Sequence, residues 1–143
     1  MLEGQLFIFK LIADSGLLVL IWLVQLVIYP SFKYYSVENL HKWHSVYTSK
    51  ITIVVLPLML AQLVLSIWLA FENKFLIFNI IDLTLVLTTW ISTFVTFVPL
   101  HQKIDSAQHK DNAVYISKLV TKNWLRTIIW TALFFLTLYK CFF

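Results

Sequence analysis

Glycine and cysteine are nearly absent from this 143-residue chain, which holds two Gly and one Cys. So little glycine excludes the phosphate-cradling loops of nucleotide-binding proteins, and neither a P-loop nor a dinucleotide fingerprint is present. A single cysteine, Cys141, excludes an intrachain disulfide and a thiolate metal cluster. Charge is scarce as well: 13% of residues are charged, against roughly a quarter in soluble domains. The cations form no cluster dense enough for a nucleic-acid surface. What fills the chain is apolar: 60% of residues are hydrophobic, with six Trp, six Tyr and twelve Phe. Such a composition belongs to an integral membrane protein with aromatic belts at its interfaces.

Four stretches are long enough to cross a bilayer core, which takes about 20 apolar residues. They cover 15–29, 51–71, 75–100 and 124–143. The first is short, and the apolar residues 6–12 extend it, with Lys10 snorkelling to the interface. No small-residue cleavage site follows it, because Val27-Ile28-Tyr29-Pro30 has the wrong chemistry; it reads as a retained helix, not a signal peptide. The expected fold class is all-α: a four-transmembrane-helix up-and-down bundle, one domain over residues 1–143. Backbone groups in lipid must be satisfied internally, and this length permits little else.

Even-numbered crossings place the first and third connections on one side. Let A be the side of the N-terminus and B the other. Side B receives Lys33, Lys42, Lys50, Lys103, Lys110, Lys118, Lys122 and Arg126; side A receives Lys10, Lys74 and Lys140. The positive-inside rule then puts side B in the cytoplasm and both termini outside it. A plainer role for these cations is contact with anionic lipid headgroups. All four histidines, His41, His44, His101 and His109, fall on side B.

Pro30 is expected to close the first span. Ser36 is a good N-cap, with Glu38 in the first turn, and starts a helix of about 35 residues. Pro57 lies inside that helix and should kink it or loosen one turn. Glu72-Asn73-Lys74 reads as a tight turn. Asp14 and Asp82 read as carboxylates close to side A, the first an interfacial anchor, with a buried proton-transfer carboxylate as the alternative, and the second reaching water. Gln25 and Gln62 read as packing amides that bond each other across the bundle, with the alternative that they orient a polar ligand atom in a cavity between helices. The threonines of the third span, Thr84, Thr88, Thr89, Thr93 and Thr96, read as packing residues that bond back to their own helix or to a neighbour. That span is expected to end at Pro99-Leu100-His101, with a polar loop over 102–111 and a new helix from Asp111 or Asn112.

Two constellations on side B could carry chemistry. His41 and His44 are three residues apart and share a helix face with Tyr47. With His101 from the facing connection they could complete a transition-metal site. The plain alternative is imidazoles bonding lipid phosphate, water and backbone at the interface. His44 and His101 should bring their rings within about 10 Å, given their shared interface, while His109 should stand apart. Asn123 and Arg126 form the second pair. Arginine is costly near lipid unless paired or hydrated, and its fork can bind a carboxylate, phosphate or carbonyl. Arg126 is expected to turn inward, toward Asn123, the His101 region or a polar ligand.

Three segments resemble the anthrone oxygenase-like family of small four-helix membrane proteins. The first span closes on Tyr29-Pro30. The third ends in Val95-Thr96-Phe97-Val98-Pro99-Leu100-His101, similar to the family's Val-Pro-Leu followed by a polar residue. The fourth opens with Asn123-Trp124-Leu125-Arg126-Thr127, similar to its Asn-x-x-Arg-Thr. Order and spacing cover nearly the whole chain, although the motifs are short. His101 departs from the family pattern, which has Asn there, and Trp43-His44-x-x-Tyr47 is more elaborate than the family's counterpart. The resemblance implies a membrane four-helix bundle and, for the fungal branch, oxidation of an anthrone to an anthraquinone by dioxygen. It also implies a polar site containing Asn123 and Arg126, with His101 in place of the amide.

Three function classes stay open at this point. The first is a membrane oxygenase or oxidoreductase acting on a lipid-soluble anthrone-, phenol- or quinol-like aromatic. His44 or His101 would be its base, since histidine titrates near neutrality. Tyr47 belongs to the same group, and Asn123 and Arg126 would stabilise the oxyanion. The second class is a non-enzymatic membrane subunit or assembly factor. The third is a metal-handling protein using His41, His44 and His101. Cofactor content is open between none and one transition-metal ion. The lipid bilayer is the expected partner, nucleic acid is not, and the oligomeric state is open.

Overall fold

Four long helices make up the described residues. The computed structural model describes residues 2–106 and 111–142, and no strand occurs among them. Helix α1 runs Leu2–Leu23 and continues through a π turn at Val24–Ile28, a helical turn at Tyr29–Ser31 and a 3-10 turn at Phe32–Tyr34. Helix α2 is Val37–Glu72. Helix α3 is Ile77–Ser92, continued by a π turn at Thr93–Phe97 and a further segment, Val98–Ser106. Helix α4 is Asn112–Phe142. Helix α1 packs on α2 and α4, and α3 packs on the same two, so the four close an all-α bundle.

Each helix is long and apolar enough to cross a membrane. Ile12 and Val19 on α1, Ile53 and Val64 on α2, Ile91 and Phe94 on α3, and Ile128 and Phe135 on α4 all point outward and are exposed. A water-soluble bundle turns its apolar stripe inward and its polar face out. Here the outer surface is apolar on every helix, which is the surface lipid solvates. The chain is therefore a multi-pass membrane protein.

Local chemistry explains the helix ends. The Ser36 hydroxyl accepts a hydrogen bond from the Asn39 backbone N–H at 3.4 Å and caps α2. Between α2 and α3, Lys74 and Phe75 adopt left-handed backbone with φ of 47° and 55°. A Cβ disfavours that region by about 1–2 kcal/mol per residue. The turn is held by the Phe75 N–H donating to the Ala70 carbonyl at 2.8 Å and by edge-on packing of the Phe71 and Phe75 rings.

The prolines do not close the spans. The backbone remains helical through Pro30 to Ser31 and through Pro99 to Ser106. A proline ring clashes with the carbonyl four residues earlier and lacks an N–H to donate. In α1 that earlier residue is Leu26, and in α3 it is Val95. Each lies inside a π turn, whose extra residue opens the helix where the ring needs room. Pro57 is accommodated within a continuous α2. The longer α3 has a consequence for the site: His101 and Asp105 now sit four residues apart on one helix.

The side A half holds a network that joins all four helices. Lys10 is 1% exposed and does not snorkel. Its ammonium pairs with Asp14 at 2.8 Å and Asp82 at 2.9 Å, and donates to the Thr137 hydroxyl at 3.0 Å. Asp14 also accepts from Thr137 at 2.7 Å and from the Gln62 amide at 2.6 Å, and Ser66 donates to Asp82 at 2.7 Å. Neither carboxylate reaches water: Asp82 departs from expectation, and Asp14 is buried in an ion pair instead of anchoring the interface. The reason is geometric: Lys10 and Asp14 are one turn apart on the inward face of α1, and α3 presents Asp82 to the same point. Gln62 and Gln25 do not bond each other. Gln62 accepts from Trp130 Nε1 at 3.2 Å, while Gln25 accepts from Asn123 at 2.9 Å and donates to the Val120 carbonyl at 3.2 Å. Thr84, Thr88, Thr89 and Thr93 bond back to α3 carbonyls, as expected.

Candidate functional site

The side B half is built from one contribution per helix. The π turn of α1 hands over to Tyr29, α2 presents His44 and Tyr47, the extension of α3 presents His101 and Asp105, and α4 presents Arg126. His44 is fully buried, and Tyr29, Tyr47 and Arg126 are buried around it. The His44 and His101 rings lie 5.0 Å apart, centroid to centroid, well inside the expected separation.

These groups form a continuous chain. Tyr29 Oη lies 3.2 Å from His101 Nε2, His101 Nδ1 lies 2.8 Å from His44 Nε2, and His44 Nδ1 lies 2.6 Å from Asp105 Oδ1. A carboxylate only accepts, so with neutral rings the donors run one way. The Tyr29 hydroxyl donates to His101, His101 Nδ1–H donates to His44, and His44 Nδ1–H donates to Asp105. Phe32 seals the chain from one side, its ring 5.3 Å from that of His44 and 5.4 Å from that of Tyr47.

Tyr29, Tyr47, His101 and Arg126 all line a cavity of about 120 Å³. Its other walls are apolar or hydroxylic, among them Ile21, Val24, Ile51 and Phe97. Thr52 on α2 and Val98 on α3 also line it and are themselves exposed, so the cavity opens toward lipid between these helices.

Arg126 turns inward, as expected, and is 7% exposed. Its guanidinium lies 4.3 Å from the Phe97 ring centre and 4.7 Å from that of Trp130. Tyr29 and Tyr47 are its polar neighbours. No carboxylate pairs with it among the described residues, and its Nε has no hydrogen-bond partner. The cavity is lined by Arg126, and a guanidinium fork without a carboxylate partner is a receptor for an oxygen. Aromatic faces meanwhile offset part of the cost of burying the cation.

Two sequence candidates stand outside the cavity. Asn123 is fully buried but spends its amide N–H on Gln25, so it ties α4 to α1. It borders the site through Arg126 one turn on, without lining the cavity. His41 faces Asn112, 3.3 Å from its amide, and does not join His44 and His101. The metal triad of His41, His44 and His101 is therefore not assembled. Among the described residues no three His, Cys, Asp or Glu side chains group to hold an ion. The two rings that do meet are too close to share one. Ligand nitrogens about 2.0–2.1 Å from a metal stand more than 3 Å apart at tetrahedral angles, and these stand 2.8 Å apart. All four ring nitrogens of the pair already have hydrogen-bond partners. His109 lies outside the described residues.

Sequence reasoning missed Asp105, placed in a loop, and gave Tyr29 no chemical role. The available signals were spacings of four: His101 to Asp105, and Gln25 to Tyr29. The chain matches no family model, no curated protein and no solved structure with which it was compared.

Proposed function

We propose that this protein is a small membrane oxidoreductase that binds the hydroxylated ring of a lipid-soluble aromatic in the side B cavity and removes its proton. One observation carries the reading: a base, His101, and an arginine without a carboxylate partner line the same lipid-facing cavity. An apolar ligand enters from lipid between α2 and α3. Its hydroxyl meets Tyr29, which relays the proton to His101, and Arg126 holds the oxyanion that forms. A cavity of about 120 Å³ suits one ring, since one of about 150 Å³ accommodates benzene. The volume therefore favours a phenol or quinol over a three-ring anthrone. For a quinol with dioxygen as acceptor, two electrons and two protons leave the ring, giving quinone and hydrogen peroxide. The family resemblance supports dioxygen in that role, and the positive-inside count supports side B as the cytoplasmic face.

Hydroquinone, the unsubstituted one-ring quinol, tests the reading. Oxygen uptake by the purified protein in nanodiscs should depend on hydroquinone and should be lost in His101→Gln. Equal uptake by wild type and His101→Gln, or none by either with no binding of the quinol, would remove the enzymatic reading.

A further inference from the structure

We infer that His101, His44 and Asp105 form a proton conduit from the cavity to side B, so that a proton taken from the ligand leaves at that membrane face alone. The inference rests on the cavity as a phenol or quinol site, and adds two residues and a direction to it.

The geometry supplies both ends of the path. At the inner end His101 lines the cavity; at the outer end the Asp105 side chain is 40% exposed. Between them His44 is fully buried, so it cannot exchange with water directly. Each imidazole can take a proton at one nitrogen and release one from the other. A proton from the ligand arrives at His101 Nε2 through the Tyr29 hydroxyl, which takes it as it gives up its own. His101 gives its Nδ1 proton to His44 Nε2, and His44 gives its Nδ1 proton to the Asp105 carboxylate. Asp105 passes it to water, which leaves each ring protonated on Nε2 in place of Nδ1. No bond other than N–H and O–H changes.

The opposite direction is closed. Leu17, Met59, Val86 and Leu133 form a buried apolar layer between the cavity and the Lys10 network. Trp130, whose N–H is held by Gln62, completes that layer beside Arg126. Buried carbon offers a proton no acceptor, and the buried hydroxyls beside this layer, Thr89 and Thr127, donate to carbonyls of their own helices, so the conduit leads one way.

Asp105 touches no ligand in this arrangement. It is a positioning and proton-accepting group acting through His44. The test uses 4-nitrophenol, a one-ring probe whose phenolate is coloured, so deprotonation is read without any oxidation step. With protein in nanodiscs, stopped-flow absorbance should show phenolate forming on binding. In Asp105→Ala the rate should fall about a hundredfold, near the low end for loss of a positioned proton-transfer group, with unchanged probe affinity. Formate in the medium should restore the rate in Asp105→Ala, because the exposed position admits a small carboxylate. Asp105→Glu should stay near wild type. In sealed vesicles with uniformly oriented protein, a pH dye on side B should register the proton before one on side A. Wild-type rates in Asp105→Ala, or a slow rate that formate does not restore, would overturn the conduit and leave the cavity reading standing. Failure of wild type to bind 4-nitrophenol would overturn the cavity reading, and the conduit with it.

Discussion

Replacing Lys10 by methionine should be among the most destabilising single changes available to this fold. The side chain keeps its length but loses the ammonium that pairs with Asp14 and Asp82. Removing one partner of a buried ion pair costs about 3–5 kcal/mol, because the remaining charge is stranded. Two carboxylates are affected here, both less than 5% exposed. Asp14 retains donors from Gln62 and Thr137, while Asp82 keeps only Ser66. A loss of about 3–5 kcal/mol is therefore expected, most of it from Asp82. The assay is reversible unfolding in mixed detergent micelles, followed by tryptophan fluorescence, to which the buried Trp130 contributes. A triple variant, Lys10→Met with Asp14→Asn and Asp82→Asn, should recover most of the loss, since neutral amides replace the stranded charges. A Lys10→Met protein within about 0.5 kcal/mol of wild type, the range of ordinary surface changes, would refute the view that this network holds the helices together.

Other changes probe separate parts of the account. Lys74→Gly should stabilise the protein by about 1 kcal/mol, because glycine removes the Cβ penalty at φ 47°; no change in the same unfolding assay would count against strain at that turn. Arg126→Lys keeps the charge but loses the fork, and Arg126→Gln loses both. Both should weaken binding of 4-nitrophenol about tenfold or more while the protein still inserts, the loss of one charge-assisted hydrogen bond; wild-type affinity in both would reduce Arg126 to an anchor. If side A is outside the cytoplasm, the partly exposed Cys141 should react with a membrane-impermeant maleimide in intact cells. A cysteine placed by Ser106→Cys in a Cys141→Ser background should react only after lysis. The reverse pattern would invert the topology.

The four crossings were legible because they rest on length and apolar content, which lipid enforces without regard to packing detail. The convergence of His44, Tyr47, His101 and Arg126 on one side was legible for a related reason: helix periodicity and even crossings place them there. Three things were not. The π turns ahead of Pro30 and Pro99 let the helices run on, so a rule that ends helices at proline moved Asp105 into a loop and hid its partnership with His44. Lys10 looked free to snorkel because its partners lie at Asp14 on its own helix, Asp82 on α3 and Thr137 on α4, and only packing brings the last two near. Asn123 and Arg126 looked like one polar pair at a three-residue spacing. In the fold they part, Asn123 toward Gln25 and Arg126 toward the cavity. Spacing along a helix fixes which face two residues share, not which neighbour each finds there.

The most direct test of the central claim is a crystal structure of the protein with 4-bromophenol, the ligand located by anomalous scattering from bromine. The account places the ring in the cavity between α2 and α3, with its hydroxyl in hydrogen-bond reach of Tyr29 or Arg126 and its bromine toward Thr52 and Val98. Bromine found only at the lipid-facing surface or among the side B lysines, with the cavity unchanged, would contradict it.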